Sequence, residues 1–238
     1  MSRAPVIARR ELASYFVSPI AYVAMAVFLV VCGGVFWKDF EPGHPAELRH
    51  LFEGMIWILL MIVPLLCMGL LAQEKASGTI ETLMTAPVGE VDVVLGKFFG
   101  SVMFLLMLLL PTLLYVVLMF AFGKPDIGPI LAGYLGIVLA GAMFISVALF
   151  CSSFTKNQVI AAAVSSFILV LVTVVPHMVL TEAAIAPWLR SALRQAVYHR
   201  YDDFTKGVID FGNVTFFVAI TVVFLFLTTK VLESRRWK

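Results

Sequence analysis

The sequence predicts an all-α integral membrane protein with six spanning helices, and three observations carry that prediction. Hydrophobic residues make up 61% of the chain and charged residues 13%, and the mean hydropathy is +1.00, far from the balance of a water-soluble domain. Six apolar runs, at 20–37, 55–71, 98–122, 131–150, 159–180 and 214–231, are long enough to cross a hydrocarbon core of about 30 Å as helices. These runs do not alternate as barrel strands do, and a spanning segment must be a helix or part of a closed barrel to pair its backbone. Residues 1–238 read as a single membrane domain.

Residues 1–18 precede the first run and read as an interfacial helix. From Pro5 onward, Ala8, Leu12, Tyr15 and Phe16 share one face and Arg3, Arg10 and Ser14 the other, the amphipathic pattern of a helix in the headgroup plane. Such a helix can serve as a simple anchor or as a resting surface for a partner. Arg9 and Arg10 read as a positive-inside anchor rather than part of a cleaved signal, since no small-x-small site follows the first run.

The spans contain Pro64 and Pro111, which predict kinks, and the only Asp, Glu, Lys or Arg in them is Lys230, one residue from the end of the sixth. Ion-coupled transporters keep ionisable groups at membrane depth for their function, so energy is expected to reach this chain from outside. A phosphate-binding loop is missing as well: Gly96-Lys97 is followed by Phe98 where a magnesium-holding Ser or Thr would stand. The chain is therefore not expected to be an enzyme by itself. Cys32, Cys67 and Cys151 fall in or at the edge of apolar runs and read as small apolar residues. His44, His50, His177 and His199 have no zinc-ligand spacing. His177, after Pro176, is expected at the interface or bonded to a carbonyl freed by the proline.

Residues 72–97 form the polar segment between the second and third runs. Ser77-Gly78 supplies a turn, and Thr79 to Ala86 can form about two helical turns with Ile80, Leu83 and Met84 on one face, stopped by Pro87 and Gly89. That apolar face needs either a groove in another protein or a place on the chain's own helices. Glu90 and Asp92 sit at the start of the third run, where carboxylates complement the helix dipole.

Residues 181–213 are the largest extramembrane stretch. Pro187 can open a helix whose stripe of Leu189, Leu193 and Val197 lies opposite Arg190 and Arg194, and Tyr201, Phe204 and Val208 suggest a second short helix. Ten of the 17 Lys and Arg residues, including the clusters at both chain ends, fall on one side if both termini are cytoplasmic. Small residues recur at Ala132, Gly136 and Ala140 and at Gly96 and Gly100, where backbones can approach closely within the chain.

The polar segment resembles the coupling loop of ABC-2-type permeases, Glu-x-x-x-Gly-Thr-x-Glu-x-Leu followed by Pro, matched by Glu74, Gly78, Thr79, Glu81, Leu83 and Pro87. The resemblance implies a type V exporter-like arrangement: the interfacial helix with Arg9, Arg10, Leu12 and Phe16, a cytoplasmic coupling helix, and an extracytoplasmic helical hairpin. It implies a cytoplasmic ABC ATPase dimer that binds ATP and Mg, no cofactor on this chain, and a second permease copy or paralogue met through the first and fifth spans. On the fifth span Ala161, Ala162, Ala163, Ser165 and Ser166 offer small residues for that contact. The implied location is the bacterial cytoplasmic (inner) membrane, with the lipid bilayer rather than nucleic acid as surroundings.

Short motifs, Ala8-Arg9-Arg10-Glu11-Leu12, His199-Arg200-Tyr201-Asp202-Asp203-Phe204 and Val231-Leu232-Glu233-Ser234-Arg235-Arg236-Trp237, are similar to the gliding-motility permease branch. Members of that branch often work with a second membrane protein bearing a large extracytoplasmic domain. The function implied is the membrane subunit of an ATP-driven exporter. The alternative is a non-transporting complex that transmits ATP-driven motion to an envelope partner.

Overall fold

A computed structural model describes residues 4–39, 47–79, 89–123, 125–181, 193 and 195–235. Among the described residues every regular element is helical. The N-terminal helix α1 (Ala4–Val17) is followed by α2 (Pro19–Asp39), the first span. The second span is α3 (Arg49–Cys67) continued after a break at Met68 by α4 (Gly69–Ala76). The third is α5 (Glu90–Leu109) and α6 (Leu113–Phe122), joined by a 3₁₀ turn at Leu110–Thr112. The fourth and fifth are α7 (Ile127–Ser152) and α8 (Gln158–Thr181). A short helix α9 (Val197–Thr205) precedes α10 (Phe211–Arg235), the sixth span. Six of these stretches are long and apolar enough to cross a membrane.

The helices run past the expected span ends. The second begins at Arg49 and the third at Glu90, so much of 72–97 is helix rather than loop. The terminal turns carry Glu53, Glu74, Lys75, Asp92 and Lys97, whereas the middle of each span remains free of charge. Polar residues continue a helix at little cost when its ends reach water or find partners.

The second and fourth spans form the core, and the other four keep broad apolar outer faces. Small residues explain the central place of α7. A Cβ on Gly136 would lie 2.7 Å from the Cβ of Phe204, and Ala132 and Ala140 are fully buried, so this stripe serves packing inside the chain as the spacing predicted. Pro111 lies in the 3₁₀ turn that divides the third span, where the missing N–H of proline interrupts the ladder. Pro64 lies inside α3, one turn before the break at Met68.

After the fifth span, the boundary of the second predicted helix shifts. Val197 belongs to α9 with Tyr201 and Phe204 instead of sharing a helix with Leu193, and Val208 lies past Gly207 and is exposed. Leu193 is half-buried, and Leu189 lies outside the described residues. The helix does not rest on the surface. Val197, Tyr201 and Phe204 are wholly buried against α3, α7 and α8, and the Tyr201 hydroxyl donates to the Phe52 carbonyl at 2.7 Å. Burial pushes the Tyr201 phenol well above its ordinary value.

Polar groups tie the same end together. Asp202 pairs with Arg49 at 3.2 Å and Lys206 at 2.5 Å; burial alone would raise its carboxyl, but these cations outweigh it and hold it below the usual range. His177 packs in an aromatic cluster with Trp57 and Tyr198, ring centroids 5.6 and 4.2 Å away. Its Nδ1 has no hydrogen-bond partner among the described residues, so the expected bond to a freed carbonyl does not form at that nitrogen.

Candidate coupling site at one end of the bundle

The first two crossings return the chain to the side of α1, so that the end of α4 and the start of α5 lie there, and the structure brings all three into contact. The contact begins with glycine. Gly96 and Gly100, one turn apart on α5, face α1 so closely that added Cβ atoms would lie 3.0 Å from the Ala4 carbonyl and 2.9 Å from that of Ala8. The stripe that sequence spacing assigned to packing within the chain therefore holds the N-terminal helix rather than another span.

The buried face of α1 consists of Ala4, Ile7, Ala8 and Tyr15. Leu12 is partly buried and Phe16 is 40% exposed, meeting Phe104 edge-on at 6.2 Å. The predicted apolar face is thus rotated: Ile7 replaces Phe16, because the glycines of α5 draw in the residues opposite them. Tyr15 stacks on Phe104 at 4.6 Å and shares a 2.9 Å hydrogen bond with Ser101. Since the Ser101 hydroxyl donates to the Lys97 carbonyl, Tyr15 is the donor in that pair. Burial raises the Tyr15 phenol well above its ordinary value, so it stays a neutral donor.

At the centre of this contact stands Lys97, only 1% exposed. Its ammonium donates to Glu74 Oε1 at 2.8 Å and to Glu11 Oε2 at 3.2 Å, and the exposed Arg10 reaches the same Glu74 oxygen at 3.3 Å. Two cations and two carboxylates balance, as a buried charge requires. The cluster joins three elements far apart in sequence: Glu11 on α1, Glu74 on α4 and Lys97 on α5. Sequence reasoning singled out Arg10 and Glu74 but missed Glu11 and Lys97. The available signal was the position of Lys97 beside Gly96, since a lysine next to a close-packing stripe must find carboxylates.

The break between α3 and α4 is part of the same construction. First-turn N–H groups of a helix lack intrahelical acceptors; here Ser152 of α7 accepts from the Leu71 and Ala72 amides at 3.1 and 3.0 Å and donates to the Met68 carbonyl at 3.0 Å. Lys75 is buried and donates to the Ser153 carbonyl. Beyond α4, Ser77 bonds back to the Gln73 carbonyl at 3.0 Å and meets Thr79 at 2.9 Å. Gly78 turns the chain at φ +73°, a left-handed conformation that favours glycine.

The segment 80–88, with Ile80, Glu81, Leu83, Met84 and Pro87, lies outside the described residues. Both of its flanks, Thr79 and Gly89, are described, and the helices that carry them are joined by the Lys97–Glu74 pair. The fifth-span patch divides by face: Ala161, Ala162 and Ser165 are already buried in the chain's own core, Ser166 is half-buried and Ala163 is exposed.

No curated protein matches the sequence significantly. A family model described as ABC-2 type transporter matches residues 5–201, a stretch that includes α1, the Lys97 cluster and five of the six spans. The chain belongs to the ABC-2 type transporter family.

Proposed function

We propose that this chain is the membrane subunit of an ABC exporter whose energy comes from a separate ATPase pair docked on 80–88 and on α1. The observation that supports this most is the Lys97 cluster, which fastens both flanks of 80–88 and the N-terminal helix into one unit able to pass a push to the spans. ATP and Mg belong to the ATPase in this reading, and the permease chain performs no chemistry itself. The basic clusters at both ends favour cytoplasmic termini in a bacterial inner membrane. Two permease copies meet through the first and fifth spans, whose outward stripes include Val23, Val27 and Val30 and, on α8, Ile160, Val164, Phe167 and Leu171. The short motifs favour the branch similar to the gliding-motility permease, with an envelope partner on the far side.

Purification of the full chain from its native membrane in gentle detergent, followed by identification of the accompanying chains, tests the reading. An ABC ATPase is expected at a ratio of one per permease chain. Recovery of the permease without any ATPase would overturn it, and a large extracytoplasmic protein in the same fraction would support the envelope-partner assignment.

A further inference from the structure

The outer side of the third span holds a groove that the coupling role does not use. It has a volume of about 500 Å³ and runs between α5, α6 and α7, closed at one end by α1. Its walls include Leu12, Met103, Met107, Leu110, Tyr134 and Val138. The one hydroxyl on these walls is already engaged: Thr112 donates to the Leu109 carbonyl at 2.6 Å, so Tyr134 donates to Thr112 at 2.9 Å. The groove thus offers no polar group to a ligand. The 3₁₀ turn at Leu110–Thr112 interrupts the third span along this groove.

Length and charge identify the occupant. From Met103 to Leu113 the helix rises about 15 Å, half of a hydrocarbon core of about 30 Å, which is the depth of one leaflet. At the mouth stands Leu12, and Arg9 lies three residues earlier on the same side of α1. Arg10 turns the other way to Glu74, whereas Arg9 is exposed and makes no ion pair or hydrogen bond among the described residues. Methionines on the wall adapt to a flexible chain.

We propose that this groove is a binding site for one anionic phospholipid of the leaflet on the α1 side, its acyl chain along Met103, Met107 and Leu110 and its phosphate on Arg9. The lipid would brace α1 against the third span from the side opposite the Lys97 cluster. The proposal requires only that α1 lies at a membrane surface, and it stands whether or not an ATPase docks nearby.

The test is native mass spectrometry of the full chain released from nanodiscs of phosphatidylethanolamine and phosphatidylglycerol in a three-to-one mixture. The parent chain is expected to retain one phosphatidylglycerol. Met107→Trp with Leu110→Trp fills the groove; excluding about two methylenes lowers retention about tenfold, whereas Val222→Trp on the exposed face of α10 leaves it unchanged. Arg9→Gln lowers the preference for phosphatidylglycerol about fivefold without abolishing lipid retention. Undiminished retention in the filled variant, or an unchanged preference in Arg9→Gln, overturns the site; should the filled variant not fold, the Arg9→Gln result decides. Efficient disulfide cross-linking of Leu110→Cys between two chains also overturns it, since the groove would then belong to a protein interface.

Discussion

Replacing Lys97 by methionine is expected to cost about 3–5 kcal/mol of stability, the usual effect of removing one partner from a buried ion pair. Methionine has nearly the same length, so the loss is one of charge rather than packing. Glu11 and Glu74, whose side chains are 12% and 18% exposed, then face each other with only the outer Arg10 to balance them. The measurement is the thermal unfolding midpoint of the full chain in detergent, compared with Lys97→Met combined with Glu74→Gln. The double variant leaves one buried carboxylate fewer and is expected to recover part of the loss, since residues in one network do not act additively. Equal stability of parent and Lys97→Met would show that the cluster holds nothing together.

Phe204→Ala is expected to be comparably damaging at the opposite end, by about 3–5 kcal/mol for a fully buried aromatic side chain. Phe204 is 0% exposed and fills the space that Gly136 leaves open on α7. Neither neighbour can close the resulting cavity readily, because Tyr201 is fixed by its bond to Phe52 and the glycine has no side chain to move. Two consequences can be measured separately: a lower unfolding midpoint, and easier proteolysis of 195–210 in the folded chain as α9 loosens. A variant with parental values in both would mean that α9 is held by Tyr201, Val197 and the Arg49–Asp202–Lys206 charges without the Phe204 ring.

The two ends differ in how far they were legible in the sequence. Six apolar runs were legible because the length needed to cross a bilayer is set by the bilayer itself. Their ends were legible only in part: Glu90 and Asp92 marked the start of the third helix, whereas the second begins at Arg49, whose pair with Asp202 no local pattern reveals. Similarly, Tyr201, Phe204 and Val208 suggested a second short helix, with Val197 assigned to the one before it; the helix that forms takes in Val197 and leaves out Val208, and its depth depends on Gly136, more than sixty residues earlier. At the coupling end the pattern from Glu74 to Pro87 was readable as a motif, and Glu74 entered as part of it. Glu11 and Lys97 were invisible by the same rule, since their pairing joins positions 86 apart. The Gly96–Gly100 stripe was legible as a close contact, but only the structure identifies α1 as the element that fills it.

The most direct test of the coupling account concerns 80–88. If this segment seats in an ATPase groove through its apolar face, Leu83→Asp places an unpaired carboxylate in that groove, a loss of about 1–3 kcal/mol or more in binding. Co-purification of the ATPase with the full-length Leu83→Asp chain, together with ATP hydrolysis by the recovered complex, is the measurement. The account predicts that the six spans stay folded in the membrane while the ATPase is lost or its hydrolysis no longer responds to the permease. Retention of the ATPase at parental levels, with unchanged permease-dependent hydrolysis, would contradict it.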